Sequence, residues 1–421
     1  MRISILSDFH FGYGWNTRLE EDSYQNAQEA ISKCLDSDLI LIAGDIFDSI
    51  TPRTETLAKA LKVLSKPLLT ENKGVKLVKT LNKDLPEISN RTLSGIPVLA
   101  LHGTHERRTK EQTNTIEALE QTGFLIHLHC NSLVFERDGQ KVAIQGMSGV
   151  PERYAKDILD KWDPKPEEDC YNILVMHQSI EPYVYSPLEP PSLNLSNLPK
   201  GFDLIIDGHV HEKDLNKING TTLLLPGSTI VTQLKKEEAE VQKGFYQVEI
   251  DKETKINFIP LENNRKFFYD EIEIKPDVTI REQIEERINK TLDQEFKKIP
   301  IIKMKILGKE TGIIDKELRE IEKKYSDKAI VYFSKELESP EMTRKIELLR
   351  NLRERKLSIE EMGLQILKDN LKELKFSSVF DSDSVFRLLS EGDTERTFDI
   401  LTGKQTTLTQ LLKSEDYDNK G

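Results

Sequence analysis

The chain has 421 residues, of which 37% are hydrophobic and 31% charged, with a formal net charge of −12. That length exceeds one compact core, so two or three domains are expected. No apolar run approaches the roughly 18–20 residues of a membrane span, and the scattered, odd-numbered Cys34, Cys130 and Cys170 argue against a disulfide framework and for a reducing cytoplasm. The first strand starts at Met1 with no basic-then-apolar leader ahead of it, so no signal peptide is expected. The acidic total disfavours tight binding of polyanions by net charge, although a local basic face or bound divalent cations would supply positive charge.

Strand-like segments alternate with helix-like ones through the first part of the chain. Ile3 to Ser7 is a predicted strand ending on Asp8-Phe9-His10. A predicted helix, Glu20 to Leu35, leads to the strand Leu39 to Ala43 and then to Gly44-Asp45-Ile46-Phe47-Asp48. After the helix Thr54 to Leu64 comes a long Lys-rich stretch, Lys66 to Gly95, expected to be an insertion and helical through Val75, Leu77, Val78 and Leu81. The strand Ile96 to Leu101 precedes Gly103-Thr104-His105-Glu106, followed by Arg107 and Arg108. Strands at Leu133 to Glu136, Val142 to Gln145 and Ile173 to Val175 come next, the last ending on Met176-His177-Gln178. Ser186 to Leu198 is an expected rim loop; Leu204 to Ile206 then ends on Gly208-His209-Val210-His211, and Thr222 to Leu225 and Phe245 to Ile250 are further strands.

Past residue 262 the pattern changes. A strand (Phe267 to Ile274), a helix opened by the capping box Thr279-Ile280-Arg281-Glu282, an alternating strand (Ile302, Met304 and Ile306 against Lys303 and Lys305), a helix (Ile313 to Lys324) and a strand (Ile330 to Phe333) make a β-α-β-α-β unit. Glu336 to Lys345 is an expected linker. Ile359, Met362, Ile366, Leu367, Leu371 and Leu374 form an apolar helical stripe, and a single helix is expected from Asp383 to Leu401, with Phe386, Leu389 and Phe398 among its apolar positions and Gly403 as its C-cap. Such helices either pack on each other or dock on a partner. The expected domains are 1–262, 263–335, a linker 336–350, helices 351–403 and a tail 404–421.

Five of the eight histidines fall in the motifs at the ends of apolar runs, with carboxylates beside them. The C-terminal ends of neighbouring strands in an open sheet converge on one rim, where ligands bind. Imidazole and carboxylate together suit borderline divalent metals. One Asp-x-His alone carries little; five motifs in this order point to a metal-dependent enzyme. His102, and the His127-Leu128-His129-Cys130 run, are expected to be structural.

The order Asp-x-His, Gly-Asp-x-x-Asp, Gly-x-His-Glu, lone His and Gly-His-x-His resembles the calcineurin-like metallophosphoesterase superfamily. Within it, the opening Asp8-Phe9-His10-Phe11-Gly12-Tyr13, Pro226-Gly227-Ser228-Thr229 after the last motif, and the long C-terminal continuation resemble the DNA double-strand-break repair nucleases called SbcD in bacteria and Mre-eleven in archaea and eukaryotes. The motif match covers about residues 1–260. The resemblance implies an α/β fold: a two-sheet metallophosphoesterase sandwich flanked by helices, a small α+β cap domain that contacts DNA, and C-terminal helices that grip a coiled-coil ABC-type ATPase, Rad-fifty or SbcC.

It also implies two Mn2+ ions per subunit, with Asp8, His10 and His211 joining Asp45 on the first and His177 and His209 joining Asp45 on the second. The superfamily usually supplies an Asn amide as the second ion's remaining ligand. Here the residue is Thr104, a shorter and poorer donor. His105 would face substrate as catalytic acid, with Glu106 orienting it. Asp48 would either assist the site or orient a ligand. Arg107, Arg108, Lys303 and Lys305 could contact DNA or form solvated faces. Ile359, Met362, Ile366, Leu367, Leu371, Phe386, Leu389 and Phe398 would meet the ATPase. A homodimer is implied, through Thr54 to Leu64 or Thr113 to Gln121. The expected activity is a 3′-to-5′ exonuclease and single-strand endonuclease in break repair. The alternatives are a non-catalytic DNA-tethering scaffold or a small-molecule phosphodiesterase.

Overall fold

A computed structural model of the chain describes residues 1–108, 112–184, 192–218, 220–273, 279–309, 314–338 and parts of 363–401. Two β-sheets dominate. The first has six strands, in the spatial order Thr254–Pro260, Gly244–Ile250, Arg2–Leu6, Leu39–Ile42, Val98–Ala100 and Ile126–His127. The second has seven: Asp214–Ile218, Thr221–Leu225, Leu204–Asp207, Tyr171–Met176, Gln140–Met147, Asn131–Arg137 and Lys76–Leu81.

Alternation along the strands explains the layering, because successive side chains point to opposite faces. Ile3, Ile5, Leu39 and Leu41 of the first sheet meet Phe135, Ile144, Ile173, Val175 and Ile206 of the second in one buried core. The intervening Leu6, Ile40 and Ile42 turn the other way, onto Ala27, Ile31, Ala60 and Leu64 of the helices Glu20–Cys34 and Thr54–Leu68. On the far side of the second sheet, Leu174, Met176 and Ile205 cover Ala155 and Leu159 of the helix Glu152–Trp162. The result is the two-sheet sandwich flanked by helices.

Arg2–Leu6, Leu39–Ile42 and Val98–Ala100 are mutually parallel neighbours, as are Tyr171–Met176 and Leu204–Asp207. Each of these five strands is followed directly by one of the five motifs.

The stretch Lys66 to Gly95 differs from its expected helix. Lys76–Leu81 is an edge strand, antiparallel to Asn131–Arg137, with a register shift between Leu77 and Lys79. Val75 and Ile88 anchor it in the inter-sheet core. Val78 and Leu81 are half exposed, at 48% and 53%, so the apolar residues do not line one helical face; long-range pairing with a neighbouring strand outweighs the local pattern.

A third, three-stranded sheet follows, in the order Phe267–Glu273, Ile301–Lys309, Ile330–Glu338. The helix Ile280–Leu292, with its Thr279–Glu282 capping box, makes the parallel crossover between the first two strands, and Ile314–Tyr325 precedes the third. Phe267 and Ile301 pack with Leu19 of the main sandwich. One compact unit takes in Met1–Leu307 and Ile313–Lys335; a second takes in Gly308–Gly312 and Glu336–Gly421.

In the second unit the expected single helix is two, Ser382–Ser390 and Thr394–Leu401. Gly392 falls between them, and glycine costs about 1 kcal/mol in a helix interior relative to Ala. Val385 and Leu388 are buried, while Leu389 and Phe398 are 49% and 60% exposed. Gly363 lies so close to Phe386 that a Cβ would sit 2.7 Å from its ring. Leu367 and Leu371 are half-buried. Ile359, Met362, Ile366, Leu374, Gly403 and most of the proposed linker lie outside the described residues. Among the described residues no helix is long and apolar enough to cross a membrane.

Candidate metal centre

The parallel strands bring the motif residues together in two buried groups, beside a third, part-exposed one of His10, Asp48 and His105. Asp8, His10 and His211 offer ligand atoms within 4.8 Å of one another, and so do Asp45, His177 and His209. In the first, the Nε2 atoms of His10 and His211 are 3.1 Å apart, with Asp8 Oδ1 at 3.8 and 3.6 Å from them. In the second, His177 Nε2 is 3.3 Å from Asp45 Oδ2. The backbone links the groups: the His10 N–H donates to the Asp45 carbonyl at 3.0 Å.

The chain bends sharply to place these side chains. Asp8, His10, Asp45 and His209 adopt φ of 53°, 48°, 47° and 72°, in the left-handed region. Such conformations cost about 1–3 kcal/mol each and persist where surrounding structure imposes them. Gly103 makes the close approach possible, since a Cβ there would lie 2.1 Å from Asp45 Oδ1.

Both carboxylate oxygens of Asp8 and the Nε2 of His177 are buried without a hydrogen-bond partner. Buried polar atoms are ordinarily satisfied, so these atoms and the carboxylate–imidazole donor set fit divalent cations. Second partners fix the rings. His177 Nδ1–H donates to the Ala43 carbonyl at 2.6 Å, Asp48 Oδ1 lies 3.2 Å from His10 Nδ1, and Thr232 Oγ1 lies 2.7 Å from His211 Nδ1. Each contact leaves Nε2 as the nitrogen that a cation would meet.

The electrostatics favour cations. Burial works to lower the His177 pKa, but the charge of Asp45 3.3 Å away, with Asp8 behind, outweighs it and raises it to about 10. For Asp45, burial works upward and is overridden by His177 and His10, so its carboxyl is held well below its usual range. Burial raises Asp8 to about 6 and lowers His209 to about 3. His211 is pulled well below the usual range by burial and then by His10, which keeps it neutral, the form that binds metal.

Thr104 sits at the second group with its hydroxyl 3.2 Å from Asp45 Oδ2, as a donor to that carboxylate. His105 is 43% exposed in its side chain; its N–H donates to Asp45 Oδ1 at 2.9 Å, and Nδ1 lies 3.2 Å from the Asp48 carbonyl. Glu106 hydrogen-bonds to backbone N–H groups, not to the His105 ring. It is fully buried and accepts from the backbone N–H groups of Phe47 and Gly103, each at 2.7 Å, so it ties together two ligand-bearing loops.

Arg107 lies 3.8 Å from Glu152, and Arg108 donates to Thr51 Oγ1 and the Ile50 carbonyl at 2.6 and 3.3 Å. Lys303 and Lys305 are half-buried on one face of the small sheet, opposite Tyr269 and Glu271. His102 and His127 pair at 2.9 Å through their ring nitrogens and stack near His129; among the described residues they belong to no metal-type cluster.

Sequence reasoning missed Asp207, Thr232 and the Glu238–Lys243 pair. Asp207 is fully buried and accepts from the Gln178 N–H at 3.0 Å, steadying the peptide after His177. Its signal was its place directly before Gly208-His209. Thr232 carried none.

Comparison with known proteins agrees with this geometry. Residues 1–213 match the family model described as calcineurin-like phosphoesterase. The chain is 26% identical over 343 residues to a protein of Methanopyrus kandleri named DNA double-strand break repair protein Mre11, covering 76% of this chain and 67% of that one. It is 26% identical over 306 residues to the mouse double-strand break repair protein MRE11, covering 64% of this chain and 42% of the relative. The Arabidopsis thaliana protein of that name is 22% identical over 445 residues, covering 88% and 59%. The matched part thus spans less than half of the mouse relative's length and about two thirds of the archaeal one's. The chain belongs to the calcineurin-like phosphoesterase family.

Proposed function

We propose that the chain is a two-metal DNA nuclease, a 3′-to-5′ exonuclease and single-strand endonuclease of double-strand-break repair. The observation that carries this reading is the pair of neighbouring ligand groups, each with three buried His or Asp residues, on one rim of a sandwich with curated break-repair relatives. Asp8, His10 and His211 would hold one divalent cation and Asp45, His177 and His209 the other, with Asp45 shared and Thr104 as a weak further donor. Mn2+ is the proposed metal, on family resemblance. Such a pair supplies Lewis acidity and a clamp for a phosphodiester.

The chain's own residues do the rest. Asp45 receives the His105 N–H and thereby aims that imidazole at the substrate side. With Nδ1–H donating to the Asp48 carbonyl, Nε2 is the nitrogen left for the substrate, and only the imidazolium form, protonated at both nitrogens, would hand a proton from Nε2 to the leaving oxygen. Exposure suits that role, because the ring must reach an incoming strand. The small third sheet would act as a DNA-contacting cap through Lys303 and Lys305, with Arg107 and Arg108 as further phosphate contacts. The C-terminal helices would dock on a coiled-coil ABC-type ATPase: their exposed Leu389 and Phe398 are apolar positions that such docking would cover. A homodimer inside the cytoplasm completes the proposal.

A second reading is favoured by Thr104, whose hydroxyl is directed to Asp45 in place of an amide ligand. On that reading the second metal binds weakly and the chain tethers DNA for the ATPase without cutting it. Cleavage of 3′-labelled and 5′-labelled duplexes with Mn2+, with His105→Gln as control, separates the two. Cleavage abolished by His105→Gln supports the nuclease; an inert wild type, even with the ATPase added, supports the scaffold. Bis-p-nitrophenyl phosphate and cyclic nucleotides as competing substrates test the small-molecule alternative.

A further inference from the structure

Behind His211 lies a buried ion pair that supplies no proposed metal ligand. The side chains of Lys243 and Glu238 are 2% and 4% exposed, with Nζ 2.9 Å from Oε1. Lys243 also donates to Ser228 Oγ at 2.7 Å and to the His211 carbonyl at 3.2 Å. Glu238 accepts three consecutive backbone N–H groups, from Thr232 at 3.2 Å and from Gln233 and Leu234 at 2.9 Å each. That turn is strained, since Leu234 has φ of 51°. Its first residue, Thr232, places Oγ1 2.7 Å from His211 Nδ1.

A buried ion pair is a weak source of net stability, because desolvation offsets the attraction. Its value here lies in geometry. Glu238 closes the turn, Lys243 joins the turn to the His211 backbone, and Thr232 reaches the His211 ring from a fixed point.

We propose that Thr232, Glu238 and Lys243 are positioning residues that set the tautomer and aim of His211, so that its Nε2 is offered to the cation shared with Asp8 and His10. With Thr232 Oγ1 accepting from Nδ1–H, Nε2 is left with its lone pair toward His10 and Asp8. Partners of this kind change metal affinity by about 10–100-fold when removed. The proposal rests on the reading of His211 as a metal ligand.

The test is Mn2+ binding to the full chain, counted and titrated by electron paramagnetic resonance, with no nucleic acid present. Thr232→Val removes the acceptor at constant shape, Thr232→Ser retains it, and Glu238→Gln loosens the turn. The expected result is two ions in the wild type, with one weakened about 10–100-fold in Thr232→Val and Glu238→Gln, the other unchanged, and Thr232→Ser close to wild type. Wild-type affinity for both ions in a folded Thr232→Val would overturn the proposal, as would equal weakening of both. Should Glu238→Gln fail to fold, Thr232→Val against Thr232→Ser decides alone. His211→Ala distinguishes the underlying reading: if it keeps both ions at wild-type affinity, the ligand assignment falls. If it loses one while Thr232→Val loses none, only the positioning role falls.

Discussion

Glu106 offers a direct test of how the ligand loops are held. Its two oxygens accept from Phe47 and Gly103, which flank Asp45 and Thr104, and no water reaches the carboxylate. Glu106→Ala leaves both backbone donors buried and unmade, at about 1–3 kcal/mol each, so the expected loss is about 2–6 kcal/mol, lower if water enters the space. Two effects compete in Glu106→Gln. Burial, reinforced by the Asp45 charge, pushes the Glu106 carboxyl up to about 8, so the amide relieves Asp45 of a neighbouring charge only above that pH. Against that, the amide keeps an acceptor for only one of the two donors, leaving a net loss of about 1–3 kcal/mol. Urea unfolding gives the totals, and hydrogen exchange at the Phe47 and Gly103 amides locates them. An Ala variant within about 0.5 kcal/mol of wild type, the usual range of surface substitutions, with those amides still protected, would refute the account of Glu106 as the tie between loops.

Thr104→Asn should strengthen the second cation site by restoring an amide oxygen, read as a several-fold lower Mn2+ requirement for binding or cleavage, whereas Thr104→Ala should change it little. Asp48→Asn should weaken Mn2+ binding by about tenfold or more with the fold intact, because Asp48 Oδ1 orients His10; calorimetric titration reads this. Asp207 supplies a pH dependence. Burial pushes its carboxyl up to about 8, above the unfolded value of 3.8, so its contribution to stability is fully present below about pH 4 and is lost as pH rises toward 8. The melting temperature in chelator should fall across that window, and Asp207→Asn should flatten the fall.

The parts of the fold readable from residues alone were those encoded by short-range pattern. Buried runs such as Leu39–Ile42, with turn residues after them, gave strands, and the repeated placement of Asp or His after each run gave the ligand groups. The Thr279–Glu282 capping box marked its helix to the residue. What escaped depends on contacts distant in sequence. Lys76–Leu81 becomes a strand only because Asn131–Arg137 offers an edge more than fifty positions away. Thr232 meets His211 across 21 positions, through a turn that Glu238 closes. Glu106 differs for the opposite reason: nearness to His105 in sequence suggested contact, while its carboxylate accepts from the Phe47 and Gly103 backbone instead.

Crystals grown with Mn2+ and measured at the manganese absorption edge test the central claim most directly. Two anomalous peaks about 3.5–4 Å apart are expected, one among Asp8, His10 and His211, the other among Asp45, His177 and His209. A single peak, no peak, or manganese held by other residues would contradict it.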